Sequence, residues 1–149
     1  MQFKCEKFDD LDAYTLFTIM RGRVDVFVVE QACPYPELDD HDIAPATQHI
    51  YAIDDNQLLS YARCYKKNAQ FSAIGRVLVG EKVRGKGYAT KLVTAAISCC
   101  KAQWSECDIY IGAQIYLLDF YRSFGFESVG KEYLEDGIPH QDMILKVVK

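Results

Sequence analysis

The 149-residue chain has no apolar run approaching the roughly 20 residues that a membrane-crossing helix needs. Its opening, MQFKCEKFDD, lacks the apolar core of a secretory leader, so the cytoplasm is the expected compartment. There is no excess of positive charge: 17 Lys and Arg against 21 Asp and Glu leave a net charge of -4. That balance argues against nucleic acid as a partner. Six cysteines fall at positions 5, 33, 64, 99, 100 and 107 with no C-x-x-C spacing, which excludes a zinc site or disulfide framework as the organising principle. Asp39, Asp40 and Asp42 lack the rest of a calcium loop, so no metal is expected. No internal repeat or linker interrupts the chain. One domain, residues 1–149, is the expectation, with half of its residues hydrophobic and able to form a real core.

The organising stretch is Ile74 to Cys100, IGRVLVGEKVRGKGYATKLVTAAISCC. Ile74 to Val79 reads as a buried strand. Ala89, Leu92, Val93, Ala96, Ile97 and Cys100 fall on one stripe of an amphipathic helix. Between them Gly85 and Gly87 open the helix, beside Lys82, Arg84, Lys86 and Lys91. A glycine loop leading into a helix offers unpaired N–H groups and a positive dipole end to an anion. The local charge opposes the global one, and the stretch reads as a phosphate site. It is neither a Walker loop, which needs Gly-Lys-Ser/Thr, nor a complete dinucleotide fingerprint, because Thr90 stands where the third glycine belongs.

Around this core the chain reads as a first strand in Met1–Phe8 and a helix capped by Asp10 or Asp12. Tyr14, Phe17, Met20 and Val24 are its expected buried stripe, with Arg21, Arg23 and Asp25 opposite. The apolar run Val26–Val29 follows. A proline-rich acidic loop over 33–47 carries Glu37, Asp39, Asp40 and Asp42. His49–Ile53 and Leu58–Tyr65 form a hairpin across Asp54–Gln57. Lys66–Ser72 is a polar turn into the central strand. Asp108–Gly112 returns parallel to that strand with the helix as crossover. A short helix over Ile115–Phe124 stops at Gly125, and strands over Glu127–Tyr133 and Met143–Val148 close the fold. The fold class is α/β, a mixed and mostly antiparallel sheet of about 6–7 strands with one parallel pair and flanking helices.

Arg84, Gly87 and Ala89 match Arg/Gln-x-x-Gly-x-Gly/Ala, which resembles the pyrophosphate loop of the GNAT superfamily, the Gcn5-related N-acetyltransferases. A second segment, QIYLLDFYRSFGF from Gln114, resembles the family's short helix with its tyrosine. The runs VFVVEQ from Val26, CPY from Cys33, IGAQ from Ile111 and DGIPH from Asp136 are similar to the ElaA-like branch. The resemblance implies acetyl-CoA as cosubstrate, no metal, and direct transfer of acetyl to a primary amine in a ternary complex. Pyrophosphate would lie over the N–H groups of Gly85, Lys86, Gly87, Tyr88 and Ala89 with Arg84 assisting. The pantetheine arm would pair with free backbone at Val77 and Val79. A backbone N–H near Leu78 or Val79 is the oxyanion candidate.

By the same resemblance Gln114 stands where an asparagine often touches pantetheine, and two helical turns would set it on one face with Tyr121. Phe120 would enter the core while Tyr121 faces the sulfur. An ordinary pKa of about 10 keeps Tyr121 protonated, as a general acid requires. Glu30 is the expected base, where the family's first helical segment ends near the acceptor; Glu132, His49, His140 and an ordered water are alternatives. The acidic residues Glu30, Glu37, Asp39, Asp40, Asp42, Glu132, Glu135 and Asp136 suggest a cationic acceptor, held against Phe27, Tyr35 and Tyr133. A competing reading is a non-catalytic CoA-binding module on the same fold. The chain is expected to act as a monomer or homodimer.

Overall fold

The computed structural model describes residues 3–147; Met1, Gln2 and Val148 of the expected terminal strands lie outside them. Seven strands form one sheet: β1 Lys4–Lys7, β2 Gln48–Asp54, β3 Gln57–Lys66, β4 Phe71–Val79, β5 Asp108–Gln114, β6 Glu127–Glu135 and β7 Ile138–Leu145. Their spatial order is β1-β2-β3-β4-β5-β7-β6, and only β4 and β5 run parallel. The crossover between those two is α2, Tyr88–Gln103, and the remaining helices are α1, Ala13–Arg23, and α3, Leu118–Arg122. Helix α2 buries Leu92, Val93, Ala96 and Cys100, the stripe its periodicity predicts, against Cys64, Ile74, Ile109 and Ile111. A smaller cluster of Ile19, Tyr51, Tyr61 and Leu78 seals the opposite face beneath α1.

Several boundaries move. The central strand begins at Phe71 rather than Ile74, because the polar turn closes tightly where Lys67 and Asn68 N–H both donate to Phe71 O. The last hairpin turns on Asp136 and Gly137 alone, extending both strands into the expected loop. The helix over Ile115–Phe124 is a 3₁₀ turn, Ile115–Leu117, followed by α3. Helix α1 does not bury its predicted face: Tyr14 is 88% and Phe17 61% exposed, whereas Ile19 and Arg23 are 0% exposed. Beyond Arg23 the chain widens into a π-helical extension, Val24–Glu30. Such wide turns are rare and re-aim side chains at functional sites.

A bulge in β4 governs which residues meet. Tyr61 pairs with Leu78 but Arg63 pairs with Gly75, so β4 holds one residue more than β3 and Arg76 adopts φ 52°. Because side chains alternate along a strand, one extra residue exchanges faces. Ile74 therefore packs under α2 while Leu78, four residues on, packs under α1.

Arg23 is buried for a reason no periodicity reveals: its guanidinium meets Glu37 Oε2 at 2.8 Å and Asp42 Oδ1 at 2.6 Å. Burial works against ionisation of Asp42, but hydrogen bonds and charge from Arg23 and Arg63 overcome it and hold the carboxyl at about 2, below its ordinary 3.8. A depressed pKa stabilises the fold above the unfolded value and loses that contribution as pH falls from about 4 to 2. Arg23→Ala, which strands two buried carboxylates, is expected to cost about 3–5 kcal/mol at pH 7 in urea denaturation. The variant should also show a smaller acid-induced loss over that window than the wild type.

Candidate functional site

The parallel ladder between β4 and β5 joins only Phe71, Ser72 and Ala73 to Asp108, Ile109 and Tyr110. Past that point β4 runs on to Val79 and β5 to Gln114 without pairing, so the strands splay at their carboxyl ends. Ligands of open α/β sheets bind outside such ends. A cavity of about 460 Å³ occupies the gap. From the α2 face it is lined by Ile74, Ile111 and Tyr121, and from the opposite face by Gly75, Tyr110 and Tyr133. Beyond Ala73, the β4 edge toward β5 takes part in no strand ladder among the described residues, leaving main chain at Val77, Leu78 and Val79 for an amide-rich ligand.

At the far end of β4, Gly80 to Gly87 wraps through a 3₁₀ turn into α2. Gly85 and Gly87 take φ of 77° and 81°, which disfavour other residues, and a Cβ at either would meet nothing within 4 Å. The space before the helix is thus open, not filled by a neighbouring chain segment. No side chain caps the N-terminus of α2, so the first-turn N–H groups of Tyr88 and Ala89 point outward with the positive end of a 16-residue dipole. Lys82, Arg84, Lys86 and Lys91 are all exposed around it. Arg84 is held by its own backbone, Nε donating to Val79 O at 2.9 Å. Its Nη2 is ion-paired with Glu30 at 2.8 Å.

That pair sets Glu30 on the basic loop rather than among the residues that line the gap between β4 and β5. The π-helical extension ends by turning Glu30 onto the basic loop, where it lines a separate cavity of about 590 Å³ with Arg21, Leu58 and Lys82. The other candidate bases are placed as follows. His49 is fully buried, with Nε2–H donating to Asp42 O at 3.0 Å and Nδ1 accepting from Tyr61 at 2.6 Å; burial lowers its pKa, so it is a neutral structural residue. Glu132 is exposed on the irregular stretch of β6 between Val129 and Tyr133. His140 lines the chamber, stacked on Tyr133, with Nδ1 against Ile138 O at 2.7 Å and Nε2 3.4 Å from Glu135.

Tyr121 and Gln114 line the same cavity, but not through the helical geometry expected. Gln114 ends β5 and a 3₁₀ turn intervenes before α3, so sheet and helix bring the two together. Tyr121 is the more enclosed of the aromatic pair at 3% exposed, edge-on to Phe126 and Phe120, and Phe120 is only partly buried. Burial, with Tyr116 adding to it, raises the Tyr121 phenol above its ordinary value. It is protonated throughout the neutral range. No hydrogen bond engages its hydroxyl among the described residues.

The acidic loop is not a free negative wall. Glu37, Asp39 and Asp42 are matched by three arginines, two of them on strands. Arg63 meets Asp39 at 2.7 Å and Asp42 at 3.0 Å; Arg76 meets Glu37 at 2.9 Å. Tyr35 donates to Glu37 at 2.5 Å. This lattice fastens the loop across the sheet, and the Cys33 thiol ties it to Asp136 O at 3.2 Å. The loop walls the chamber as expected, but with Glu37, Asp39 and Asp42 neutralised. The arginines went unforeseen although two leave a trace: Arg63 and Arg76 interrupt otherwise apolar strands.

Comparison with known proteins fits this geometry. Residues 19–147 match the model of the Acetyltransferase (GNAT) domain, and the chain belongs to that family. It is 37% identical to Protein ElaA of Escherichia coli over 142 residues, 94% of this chain and 93% of that one. The ElaA crystal structure superposes with a TM-score of 0.92 over 98% of this chain and 100% of that one. An acyl-CoA N-acyltransferase from Pseudomonas aeruginosa does the same at 0.92, 34% identity and the same coverages. A CoA-dependent acyl-homoserine lactone synthase, solved with SAM and isopentyl-CoA, shares the fold alone at 16% identity and 0.78, covering 97% of this chain and 83% of that one. The class is thereby that of acyl-CoA-dependent acyltransferases of ElaA-like type.

The two kinds of ion pair at this site differ in weight. Glu30→Gln removes an exposed pair and is expected to change unfolding free energy by less than about 1 kcal/mol. Arg63→Ala, buried and doubly paired, should cost several times more by the same denaturant titration.

Proposed function

We propose that the protein is an acetyl-CoA-dependent N-acetyltransferase that moves acetyl to a primary amine by direct attack in a ternary complex. The observation that carries this is the continuity of one path: an uncapped, glycine-opened helix end, an unladdered strand edge, and a phenol enclosed at the other side of the gap. Pyrophosphate would be held by N–H groups of Gly85 to Ala89, each charge-assisted bond contributing about 1.5–3 kcal/mol, with the helix dipole adding about 0.3–2 kcal/mol. The backbone bonds dominate, and Lys86 and Arg84 assist. Glu30 competes for Arg84 before the ligand arrives. Pantetheine would extend along Val77–Val79 past Gln114, placing the thioester carbonyl where the N–H of Leu78 or Val79 stabilises the oxyanion.

Attack by a neutral amine forms the tetrahedral adduct, and its collapse breaks the C–S bond. The departing thiolate takes the Tyr121 proton, which a buried phenol retains until the sulfur becomes basic, and the extra proton on the adduct nitrogen passes through water to restore the phenol. A non-catalytic CoA-binding module would need the loop but not an enclosed Tyr121, and that residue favours the enzyme. Thiol release from acetyl-CoA against spermidine, aromatic amines, peptide amines and acidic amino acids tests the reading; binding without turnover on any of them would support the module instead.

Binding to the native state alone should raise the melting temperature with CoA concentration. Gly87→Glu is expected to abolish that rise, whereas Gly130→Glu, at φ 73° in equally open space but on β6, should preserve it. Tyr121→Phe should lower kcat by roughly 10²–10⁴-fold while changing CoA affinity by no more than about 1 kcal/mol, measured by steady-state kinetics and calorimetry.

A further inference from the structure

Of the candidate bases, Glu30 is paired with Arg84, His49 is buried and Glu132 is exposed on β6, while His140 lines the chamber stacked on Tyr133. The chamber contains another carboxylate. Asp142 on β7 accepts from Tyr110 at 2.7 Å and from Tyr133 at 2.6 Å, both on Oδ1. Among the described residues it makes no ion pair, unlike Glu37, Asp39 and Asp42. A half-buried carboxylate held only by neutral hydroxyls is short of a cation.

The backbone beside it leaves room for the two hydroxyls. Gly112 lies on the splayed part of β5, opposite Asp142 in the β5–β7 ladder. A Cβ at Gly112 would come within 3.0 Å of the Tyr133 hydroxyl, 3.4 Å of the Tyr110 hydroxyl and 3.8 Å of Asp142 Oδ1. Two hydroxyls and a carboxylate thus converge over bare main chain, and Gly112, Tyr110 and Tyr133 all line the cavity that also reaches Tyr121. Other charged and titratable groups face this cluster. Lys67, from the β3–β4 turn, sets its ammonium 4.3 Å above the Tyr110 ring. His140 stacks on Tyr133 and lies by Glu135, and the loop contributes Tyr35, Asp39 and His41 to the same chamber.

We propose that Tyr133 and Asp142 form the relay that deprotonates the acceptor. It rests on the acetyltransferase reading above. An ammonium in the cavity beside the Tyr133 hydroxyl gives one proton to the Tyr133 oxygen as Tyr133 passes its own to Asp142 Oδ1, leaving a neutral amine and a neutral carboxyl. The amine then attacks the thioester, and Asp142 returns its proton to solvent after the amide leaves. Tyr133 is the group in contact with the acceptor; Asp142 acts through it. Burial and then the hydrogen bond to Asp142 push the Tyr133 phenol up to about 12, so it shuttles protons without resting as phenolate. The acceptor class that fits is a protonated primary amine on an arm that reaches the Tyr133 hydroxyl from the cavity.

The test compares Asp142→Asn and Tyr133→Phe with the wild type, using the best acceptor among spermidine, phenethylamine and a peptide with a free N-terminus. Asn keeps an oxygen for both tyrosines. Each variant should lower kcat/KM at pH 7 on the order of 10²-fold or more with acetyl-CoA affinity unchanged by calorimetry. The deficit should shrink to a few-fold near pH 10, where the amine deprotonates unaided. A deficit constant with pH would mark Asp142 as merely structural and overturn the relay. So would wild-type profiles in both variants, or a deficit that shrinks toward pH 10 in His140→Asn but not in Asp142→Asn. If Asp142→Asn fails to fold, the pH profile of Tyr133→Phe decides between the same two outcomes. Failure of every amine to accept acetyl in the wild type would instead overturn the acetyltransferase reading, and the relay with it.

Discussion

The interaction on which the rest depends is one that is not made. After Ala73 and Tyr110 the parallel strands β4 and β5 stop pairing, although each continues for several residues. An unpaired main chain inside a sheet costs free energy unless something satisfies it. Two features keep the gap open. The bulge at Arg76 turns β4 so that Leu78 packs beneath α1, and the ladder from β5 to β7, continuous from Ile109 to Gln114, holds β5 on its other side. The gap is thus built into the sheet, and a strand-like ligand is what its chemistry lacks.

Charge is arranged around that gap in two registers. At the helix end the basic residues are exposed and loosely engaged, the state suited to a ligand that arrives and leaves. Beside the gap three arginines and three carboxylates are locked together, with Arg23, Arg63, Glu37 and Asp42 buried and Arg76 and Asp39 at the wetter edge. Such a lattice contributes shape more than field, since its charges cancel. It anchors Pro34, Tyr35 and Pro36 over the sheet, whereas Asp142 makes no ion pair among the described residues. Long-range attraction of a cation by the whole acidic loop, as composition suggested, is therefore weakened by the loop's own arginine partners.

What the sequence made legible was whatever repeats or punctuates. The α2 stripe, the paired hairpin strands and the glycine loop each follow from local rules, and the structure bears out the class of fold with its parallel pair. The buried pairs were illegible because Arg23 sits where solvent is expected; only Glu37 and Asp42, many residues away, make burial tolerable. The bulge at Arg76 was hidden for a similar reason, since a positive φ at a non-glycine residue leaves no mark in composition. Glu30 was assigned by the place of its segment, and the widened turn that swings it onto Arg84 could not be read from VFVVE. The tyrosines over Gly112 come from β5 and β6, with Asp142 on β7, and no spacing connects them.

A crystal structure of the complex with CoA is the most direct test of this mode of binding. Pyrophosphate oxygens are expected on the N–H groups of Gly85 to Ala89, with Arg84 released from Glu30. Pantetheine amides should bond to β4 between Val77 and Val79, with the sulfur facing Tyr121. A coenzyme bound elsewhere, or one that reaches the helix end but leaves the β4 edge and the gap untouched, would contradict it.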